Sequence, residues 1–369
     1  MPGPRLYYRI APIFPPRGHT LPSLTDYRTL GRSGLVVSPM ALGTMTFGTP
    51  RWGSPDEVSE AIFDAYTDAG GNFVDTADVY SKGRSEELVG GYLAAKKLRD
   101  KVVLATKSTF SADPGNPNGG GNGRKHMFAA LEGSLRRLKT DYVDLYWLHA
   151  WDMVTPVEEV LQSMGDLVRA GKVRYYGLSD IPAWYAAKAA TLAATHGVPG
   201  PVAVQMEYSL TERCVEWEHA HAARDCGLGI TPWSPLAGGF LAGKYTREAE
   251  GASGEGRLMG ANPFGDTKFT ERNWRTLGAL KAVAAEVGRP PSQVALAWLQ
   301  GRPGVTSTIL GASKVAQLRD NLASLELTLS PGQTKALDAA SAPEASFYAF
   351  FQPQLVNKHI FNASVQGWK

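Results

Sequence analysis

Short apolar runs alternate with amphipathic segments along most of this chain. The first clear helical pattern covers residues 54–70, with Ser54 as a candidate N-cap and Gly70 at its end. Before it, residues 27–37 show a short strand-like alternation that is broken by glycines. Such a pattern is typical of a small β-hairpin, so we expect a hairpin ahead of the first strand–helix pair.

Eight apolar runs have the length and residue types of buried strands. They span residues 40–45, 72–76, 102–107, 143–149, 173–179, 202–209, 230–234 and 307–310. Helical patterns follow most of them, at residues 54–70, 85–99, 124–138, 156–170, 182–195, 214–225 and 314–325. This alternation predicts an α/β fold, a (β/α)8 or TIM barrel with a parallel sheet. No glycine fingerprint follows the first strand, which disfavours a doubly wound dinucleotide-binding sheet.

The chain divides into three predicted parts. Residues 1–25 are rich in proline and lack the apolar core of a signal peptide, so we predict a disordered extension or an overcalled start. Residues 26–345 carry the barrel pattern and form the predicted main domain. Residues 346–369 form a predicted aromatic tail that packs on the barrel mouth or on a partner; its aromatic residues are Phe347, Tyr348, Phe350, Phe351, Phe361 and Trp368.

Composition changes this picture little. The 369 residues are 43% hydrophobic and 20% charged, which is ordinary for a soluble enzyme. The net charge of +3 comes without a basic block, and no apolar stretch is long enough for a membrane span, so neither nucleic acid nor a membrane is an expected partner. Cys214 and Cys226 form no CxxC motif, so we predict no metal site and a reducing, cytoplasmic location.

Two connections are longer than ordinary loops between strand and helix. They cover residues 108–123 and 237–268, and both are rich in glycine. Each follows a predicted strand, so each is expected to overhang the rim where the strands end. Long loops at such a place are usually lids or binding loops, although a plain surface excursion is an equal alternative for the first.

Ionisable side chains stand at the ends of three successive predicted strands. These are Asp75, Lys107 and His149, and Tyr80 follows Asp75 by five residues. In a parallel barrel the strand ends meet at one rim, where active sites lie. A tyrosine has a pKa of about 10, so a neighbouring ammonium that favours phenolate would adjust it for proton transfer. A carboxylate can hold that ammonium in place, and a histidine can donate a hydrogen bond to a carbonyl oxygen.

Three motifs here closely resemble those of the aldo-keto reductase family. They are Asp75-Thr-Ala-Asp-Val-Tyr80, Leu-Ala-Thr-Lys107 and Leu-Tyr-Trp-Leu-His149, and the resemblance extends over about residues 27–343. It is nearest to the branch that includes potassium-channel β-subunits. The resemblance implies that Tyr80 is the general acid–base, that Lys107 and Asp75 tune it, and that His149 orients the substrate. It also implies that a nicotinamide cofactor delivers hydride reversibly to an aldehyde or ketone.

The resemblance also implies cofactor contacts at the nicotinamide end. The backbone after the first strand would lie beside the ribose, two polar side chains would bind the carboxamide, and an aromatic ring would stack on the nicotinamide. These positions are Gly43, Thr44, Met45, Asp75, Ser179, Gln205 and Trp233. One departure stands beside them, because Asp180 occupies a position where the family often has asparagine. An ionised carboxylate cannot donate a hydrogen bond as an amide does.

A second set of implied contacts belongs to the pyrophosphate and adenosine end. It consists of Ser234, Leu236, Lys244, Arg257, Gly311, Ser313, Lys314, Gln317, Asp320 and Asn321. Ser313 and Lys314 stand at the N-terminus of the predicted helix 314–325, where free backbone amides and a cation make a phosphate site. This favours NADPH over NADH, although Gln317 stands where many relatives have arginine.

A different class of function is a regulatory or scaffolding barrel that binds cofactor with little turnover. Channel β-subunits resemble this chain at the cofactor site but carry asparagine at the position of His149, so the histidine favours catalysis. The expected partner is a small carbonyl substrate, and a homo-oligomer stays open. Trp52, Phe110 and Trp151 follow predicted strands and are candidates for lining an apolar substrate pocket, with ordinary loop packing as the alternative.

Overall fold

The structure, a computed structural model, describes residues 23–111, 113–248, 251–260, 268–343 and 360–365. Most of the predicted extension and most of the aromatic tail lie outside these ranges and stay predictions. Leu24, which we placed in the extension, is buried in the main hydrophobic core. The described chain therefore joins the core slightly before the predicted domain boundary.

The centre of the fold is a parallel sheet of eight strands. A hairpin of β1 (Arg28–Thr29) and β2 (Val36–Val37) precedes it, as predicted. The barrel strands are β3 (Met40–Gly43), β4 (Phe73–Asp75), β5 (Val103–Ser108), β6 (Val143–Leu148), β7 (Val173–Ser179), β8 (Ala203–Glu207), β9 (Gly229–Trp233) and β12 (Thr308–Leu310). They pair in the order β12-β3-β4-β5-β6-β7-β8-β9, and a bridge from Ile230 to Val305 nearly closes the ring. The predicted TIM barrel is confirmed.

Helices surround this sheet. They are α1 (Asp56–Asp68), α2 (Arg84–Lys96), α3 (Arg124–Leu138), α4 (Val157–Arg169), α5 (Ala183–His196), α6 (His219–Cys226), α7 (Glu271–Val287), α8 (Pro291–Gln300), α9 (Val315–Leu322) and α10 (Pro331–Ala340). Ser54 is not the N-cap of α1, because the helix begins after Pro55 and the Ser54 hydroxyl pairs with Ser59 Oγ at 2.8 Å. Within the described ranges, no helix has both the length and the apolar character to cross a bilayer.

The connection from β9 to β12 differs most from the prediction. Its first part holds a short 3-10 helix, Ala237–Ala242, and a hairpin of β10 (Tyr245–Arg247) and β11 (Ala252–Gly254). The helices α7 and α8 follow with no strand between them among the described residues. Two successive helices break the alternation from which the other elements were predicted, so they were missed.

The N-terminal hairpin closes one end of the barrel. Its Leu30, Leu35 and Val37 are buried with the inward-facing residues of the strands, among them Phe73 and Trp147. Because this end is filled, the opposite rim, where the strands have their C-terminal ends, is the side open to a ligand.

Gly31 lies between the two strands of the N-terminal hairpin and lets the hairpin pack closely against the end of the barrel. Gly31 has a φ of +59°, and a Cβ there would lie 2.3 Å from Val202 O and 2.7 Å from Gly227 O. Only glycine fits both this backbone conformation and this close approach to neighbouring backbone.

Candidate active site

The four predicted catalytic side chains lie together at the open rim. Asp75 is the last residue of β4, Lys107 is near the end of β5, and His149 directly follows β6. Tyr80 begins a short 3-10 helix, Tyr80–Gly83, after β4. Because β4 pairs with β5 and β5 with β6, all parallel, these strand ends lie side by side at one rim of the barrel.

Lys107 is the central group of this cluster. Its ammonium is fully buried, pairs with Asp75 Oδ1, and donates to Thr76 O at 2.9 Å and to Tyr80 Oη at 3.4 Å. Gln205 Nε2 donates to the second oxygen of Asp75 at 3.1 Å. Burial lowers the pKa of Lys107, but Asp75 and Tyr80 raise it more, so the net direction is upward and the side chain stays an ammonium.

The phenol of Tyr80 is buried and is protonated at neutral pH. Burial raises its pKa above the usual 10.0, and the nearby charge of Lys107 lowers it by less, so the net direction is upward. The influence of Lys107 has the predicted sign, but desolvation is larger. At neutral pH the phenol is therefore a proton donor directed into the cavity.

His149 lies beside Tyr80 and is uncharged. The two ring centroids are 5.7 Å apart in an edge-to-face arrangement, and Phe110 packs on the other side of the imidazole at 4.9 Å. The backbone N–H of His149 donates to Ser108 O at 2.9 Å, which fixes its place at the rim. Burial and the charge of Lys107 hold the pKa of His149 well below its usual 6.5. A neutral imidazole can donate one hydrogen bond to a substrate oxygen without adding a charge.

A cavity of about 470 Å³ opens above these groups. Aromatic side chains form much of its wall, namely Trp52, Tyr80, Phe110, His149 and Trp233. Two of the three candidate pocket aromatics, Trp52 and Phe110, are therefore placed there. Trp151 is not, because its ring packs against Trp184 at 6.0 Å.

A longer groove of about 1270 Å³ continues from this cavity and shares part of its lining. The predicted cofactor positions that line the cavity are Gly43, Met45, Asp75, Ser179, Gln205, Trp233, Ser234, Arg257 and Gly311. Ser234, Leu236, Lys244, Arg257, Gly311, Ser313, Lys314, Gln317, Asp320 and Asn321 line the groove. Thr44 lines neither; its buried hydroxyl contacts Ser85 Oγ at 2.8 Å, and its N–H donates to Asp75 O at 2.9 Å.

The two connected cavities fit a nicotinamide dinucleotide. At the inner end, Ser179 Oγ is buried and has no hydrogen-bond partner among the described residues, so a ligand amide would satisfy it. Further out, Gly238 and Gly239 both have positive φ angles, and a Cβ on Gly239 would lie 2.8 Å from Lys244 Nζ. Bare backbone beside a cation is suited to a pyrophosphate. At the outer end, Lys314 is the N-cap of α9.

Several lining residues were not identified from the sequence. Thr46 and Pro235 line both cavities, and Thr46 Oγ1 donates to Ala312 O at 2.8 Å, which ties two rim loops together. Thr46 directly follows Gly43-Thr44-Met45, the segment that was predicted to lie beside the ribose. Ser292 lies at the start of α8 and donates to Asp320 at 3.1 Å. It was missed because α8 itself was not predicted.

Comparison with known proteins agrees with this geometry. Residues 39–342 match the model of the aldo/keto reductase family. The uncharacterized oxidoreductase YrpG of Bacillus subtilis is 37% identical over 314 residues, 82% of this chain and 92% of that protein. A probable voltage-gated potassium channel subunit beta of Oryza sativa is 36% identical over 304 residues, again 82% and 92%. Aryl-alcohol dehydrogenase [NADP(+)] of Phanerodontia chrysosporium is 35% identical over 320 residues, 83% of each chain.

The chain belongs to the aldo/keto reductase family. It is an NAD(P)H-dependent oxidoreductase of the branch that also contains plant potassium-channel β-subunits, as the sequence motifs indicated.

Proposed function

We propose that this protein is an NADPH-dependent carbonyl reductase that interconverts aromatic aldehydes or ketones and their alcohols. The observation that carries the proposal is the protonated Tyr80 phenol, 3.4 Å from a buried Lys107 ammonium, at the floor of an aromatic cavity. The phenol, the ammonium and the neutral His149 together provide a proton and a hydrogen-bond donor for a carbonyl oxygen.

The roles of the four side chains follow from their contacts. A nicotinamide cofactor held in this cavity would supply the hydride for the carbonyl carbon. Tyr80 donates its phenolic proton to the carbonyl oxygen, and Lys107 stabilises the resulting phenolate by charge. Asp75 holds Lys107 in place, and the N–H of His149 orients the carbonyl oxygen towards Tyr80. In the reverse direction Tyr80 takes the proton of the alcohol.

The substrate class is proposed from the wall of the cavity. Trp52, Phe110 and Trp233 present flat apolar surfaces, and planar rings pack favourably against such surfaces. The relative from Phanerodontia chrysosporium carries the name aryl-alcohol dehydrogenase, which supports the same class. We therefore expect benzaldehyde-like compounds to be better substrates than small aliphatic aldehydes or sugars.

The preference for NADPH is proposed from the start of α9. Gln317 Oε1 accepts from both the backbone N–H and the hydroxyl of Ser313, each at 3.0 Å. These two donors therefore point to one place, where a phosphate oxygen can replace the amide oxygen. Lys314 and the N-terminus of α9 add positive charge beside it.

Replacing Lys314 with glutamine tests this preference. We expect the KM for NADPH to rise about tenfold, which corresponds to the loss of a charge-assisted bond of about 1.4 kcal/mol. The KM for NADH should change little, because NADH lacks the extra phosphate. Lys335→Gln, an exposed lysine on α10, is the matched control and should leave both constants unchanged. Equal effects of Lys314→Gln on both cofactors would contradict the assignment.

The function itself is tested with a panel of aromatic aldehydes, aliphatic aldehydes, ketones and sugars, each assayed by cofactor oxidation with NADPH and with NADH. We expect the highest kcat/KM for aromatic carbonyls with NADPH. The relative from Oryza sativa is named as a channel subunit, which keeps a cofactor-binding scaffold as the second candidate. Tight NADPH binding with no oxidation on any member of the panel would favour the scaffold.

A further inference from the structure

Asp180 places a carboxyl group on the wall of the catalytic cavity. It directly follows Ser179 at the end of β7, and its φ is +45°. Its backbone N–H donates to Gln205 O at 3.0 Å, and its backbone oxygen accepts from Trp151 N–H at 3.2 Å. These two bonds hold the backbone of Asp180 in a left-handed conformation that aspartate tolerates.

The side chain of Asp180 has one oxygen engaged and one that can serve a ligand. Trp233 Nε1 donates to Asp180 Oδ1 at 3.0 Å, and the structure gives Oδ2 no protein donor among the described residues. Ser179 Oγ, on the preceding residue, is also without a partner among the described residues. Both groups therefore offer hydrogen-bonding capacity at the inner end of the cavity.

Gln205 is the third polar group at this place, and its contact with Asp75 determines which of its atoms can bind a ligand. Because Gln205 Nε2 donates to Asp75 Oδ2 at 3.1 Å, its amide oxygen is the atom left to interact with a ligand. That oxygen can only accept a hydrogen bond. A bound primary amide must therefore direct its N–H group to Gln205, and its oxygen then faces Ser179 and Asp180, where it needs donors.

We propose that Asp180 binds the carboxamide of the nicotinamide ring as a neutral carboxylic acid, so that cofactor binding is coupled to the uptake of one proton. The carboxylic O–H donates to the carboxamide oxygen, in the way that an asparagine amide N–H would at every pH. This inference rests on the proposed function, since it requires a nicotinamide cofactor in this cavity.

The electrostatic surroundings of Asp180 agree with a neutral form. Burial and, less strongly, the charge of Glu207 on β8 raise its pKa, whereas the Trp233 hydrogen bond and Lys107 on β5 lower it, and the net result is a pKa of about 7. The charges that face it are mostly matched elsewhere: Lys107 pairs with Asp75, and Glu207 with Lys268 at 2.8 Å.

Other titratable groups border the same cavity. Tyr80 has a phenol whose pKa Asp180 raises, His149 is neutral, and Arg257 lies at the outer side with its guanidinium 5.0 Å from the Trp52 ring centroid. No lysine or arginine of the described residues forms an ion pair with Asp180. A proton is therefore the simplest way for this carboxyl group to lose its charge.

The test compares NADPH binding by the wild-type protein and by Asp180→Asn between pH 7 and pH 9, from fluorescence titrations. If only the protonated acid binds, the wild-type Kd rises about tenfold per pH unit above the pKa of the free carboxyl. The side-chain amide of the variant donates at every pH, so its Kd should stay constant and be about 100-fold lower than the wild-type value at pH 9. Thermal unfolding at both pH values checks that the variant is folded.

Calorimetry gives a second readout that does not depend on affinity alone. Binding enthalpies at pH 8 in two buffers of different ionisation enthalpy report the protons taken up. We expect nearly one proton per NADPH for the wild type and none for Asp180→Asn.

Three results would overturn the inference. A constant wild-type Kd without proton uptake would mean that an ionised Asp180 accepts from the carboxamide N–H instead. The same pH dependence in Asp180→Asn would assign the proton to another group. Absence of NADPH and NADH binding at every pH would overturn the proposed function together with this inference, whereas pH-independent binding overturns this inference alone.

Discussion

Replacing Tyr80 with phenylalanine is expected to lower kcat for carbonyl reduction by about 10²- to 10⁴-fold, the usual contribution of general acid catalysis. The variant loses the phenolic proton and keeps the ring that packs edge-to-face on His149 at 5.7 Å. Cofactor affinity should change little, because the cofactor groove runs along other elements. Steady-state rates with an aromatic aldehyde, together with the Kd for NADPH from fluorescence titration, measure both quantities.

A second tyrosine in the barrel serves as the matched control. Tyr176 lies on β7, is buried among the helices, and donates to Pro199 O at 2.9 Å, away from the cavity. Tyr176→Phe removes a hydroxyl of the same kind and should leave kcat unchanged. If Tyr80→Phe kept the wild-type kcat, Tyr80 would not be the proton donor, and the proposed mechanism would be wrong.

Replacing Lys107 with methionine is expected to destabilise the fold as well as to abolish turnover. The ammonium is fully buried beside Asp75, so the variant leaves a buried carboxylate without its counter-ion. Breaking a buried pair in this way costs about 3–5 kcal/mol. The free energy of unfolding from urea denaturation measures this loss, and cofactor oxidation measures the turnover.

Two further variants separate the cost of leaving a buried charge unpaired from the cost of losing an ion pair as such. The double variant Lys107→Met with Asp75→Asn removes both charges, so it should recover much of the lost stability and none of the turnover.

A surface ion pair serves as the control for burial. Lys96→Met breaks an ion pair between α2 and α1, where Lys96 Nζ lies 2.9 Å from Asp64. Because this pair is on the surface, its loss should change stability far less. Equal costs for Lys107→Met and Lys96→Met would contradict the role given to burial.

Because Lys107 and Asp75 are both buried, we expect the pair itself to add little to the stability of the fold. A buried ion pair is seldom more stable than an apolar pair of the same size. Here Lys107 has further partners, Thr76 O at 2.9 Å and Tyr80 Oη at 3.4 Å, and Gln205 binds the free oxygen of Asp75. At this place in the barrel, the charge of Lys107 acts on the phenol of Tyr80.

Much of the fold was predictable because its signals are local. The barrel strands are short, mostly apolar runs of three to seven residues, and β7 and α3 have the predicted bounds, Val173–Ser179 and Arg124–Leu138. A parallel barrel brings the ends of its strands to one rim whatever the details of packing. The meeting of Asp75, Lys107 and His149 at that rim therefore followed from strand ends alone.

What the sequence could not indicate depends on atoms that are distant in the chain. The helices α7 and α8 break the local alternation, so their place in the fold and the role of Ser292 came only from packing. The side chain of Thr44 turns to Ser85 because β3 ends beside β4. The sign of the shift in the pKa of Tyr80 is set by how deeply the cavity buries the phenol relative to Lys107.

By itself, the sequence determined the family, the barrel and the identity of the groups that can move a proton. These depend on residue type and on spacing along the chain. Only the tertiary structure decided which donors and acceptors are left free, such as Ser179 Oγ and the second oxygen of Asp180. Hydrogen-bond partners and desolvation are properties of three-dimensional neighbours, and a linear pattern contains neither.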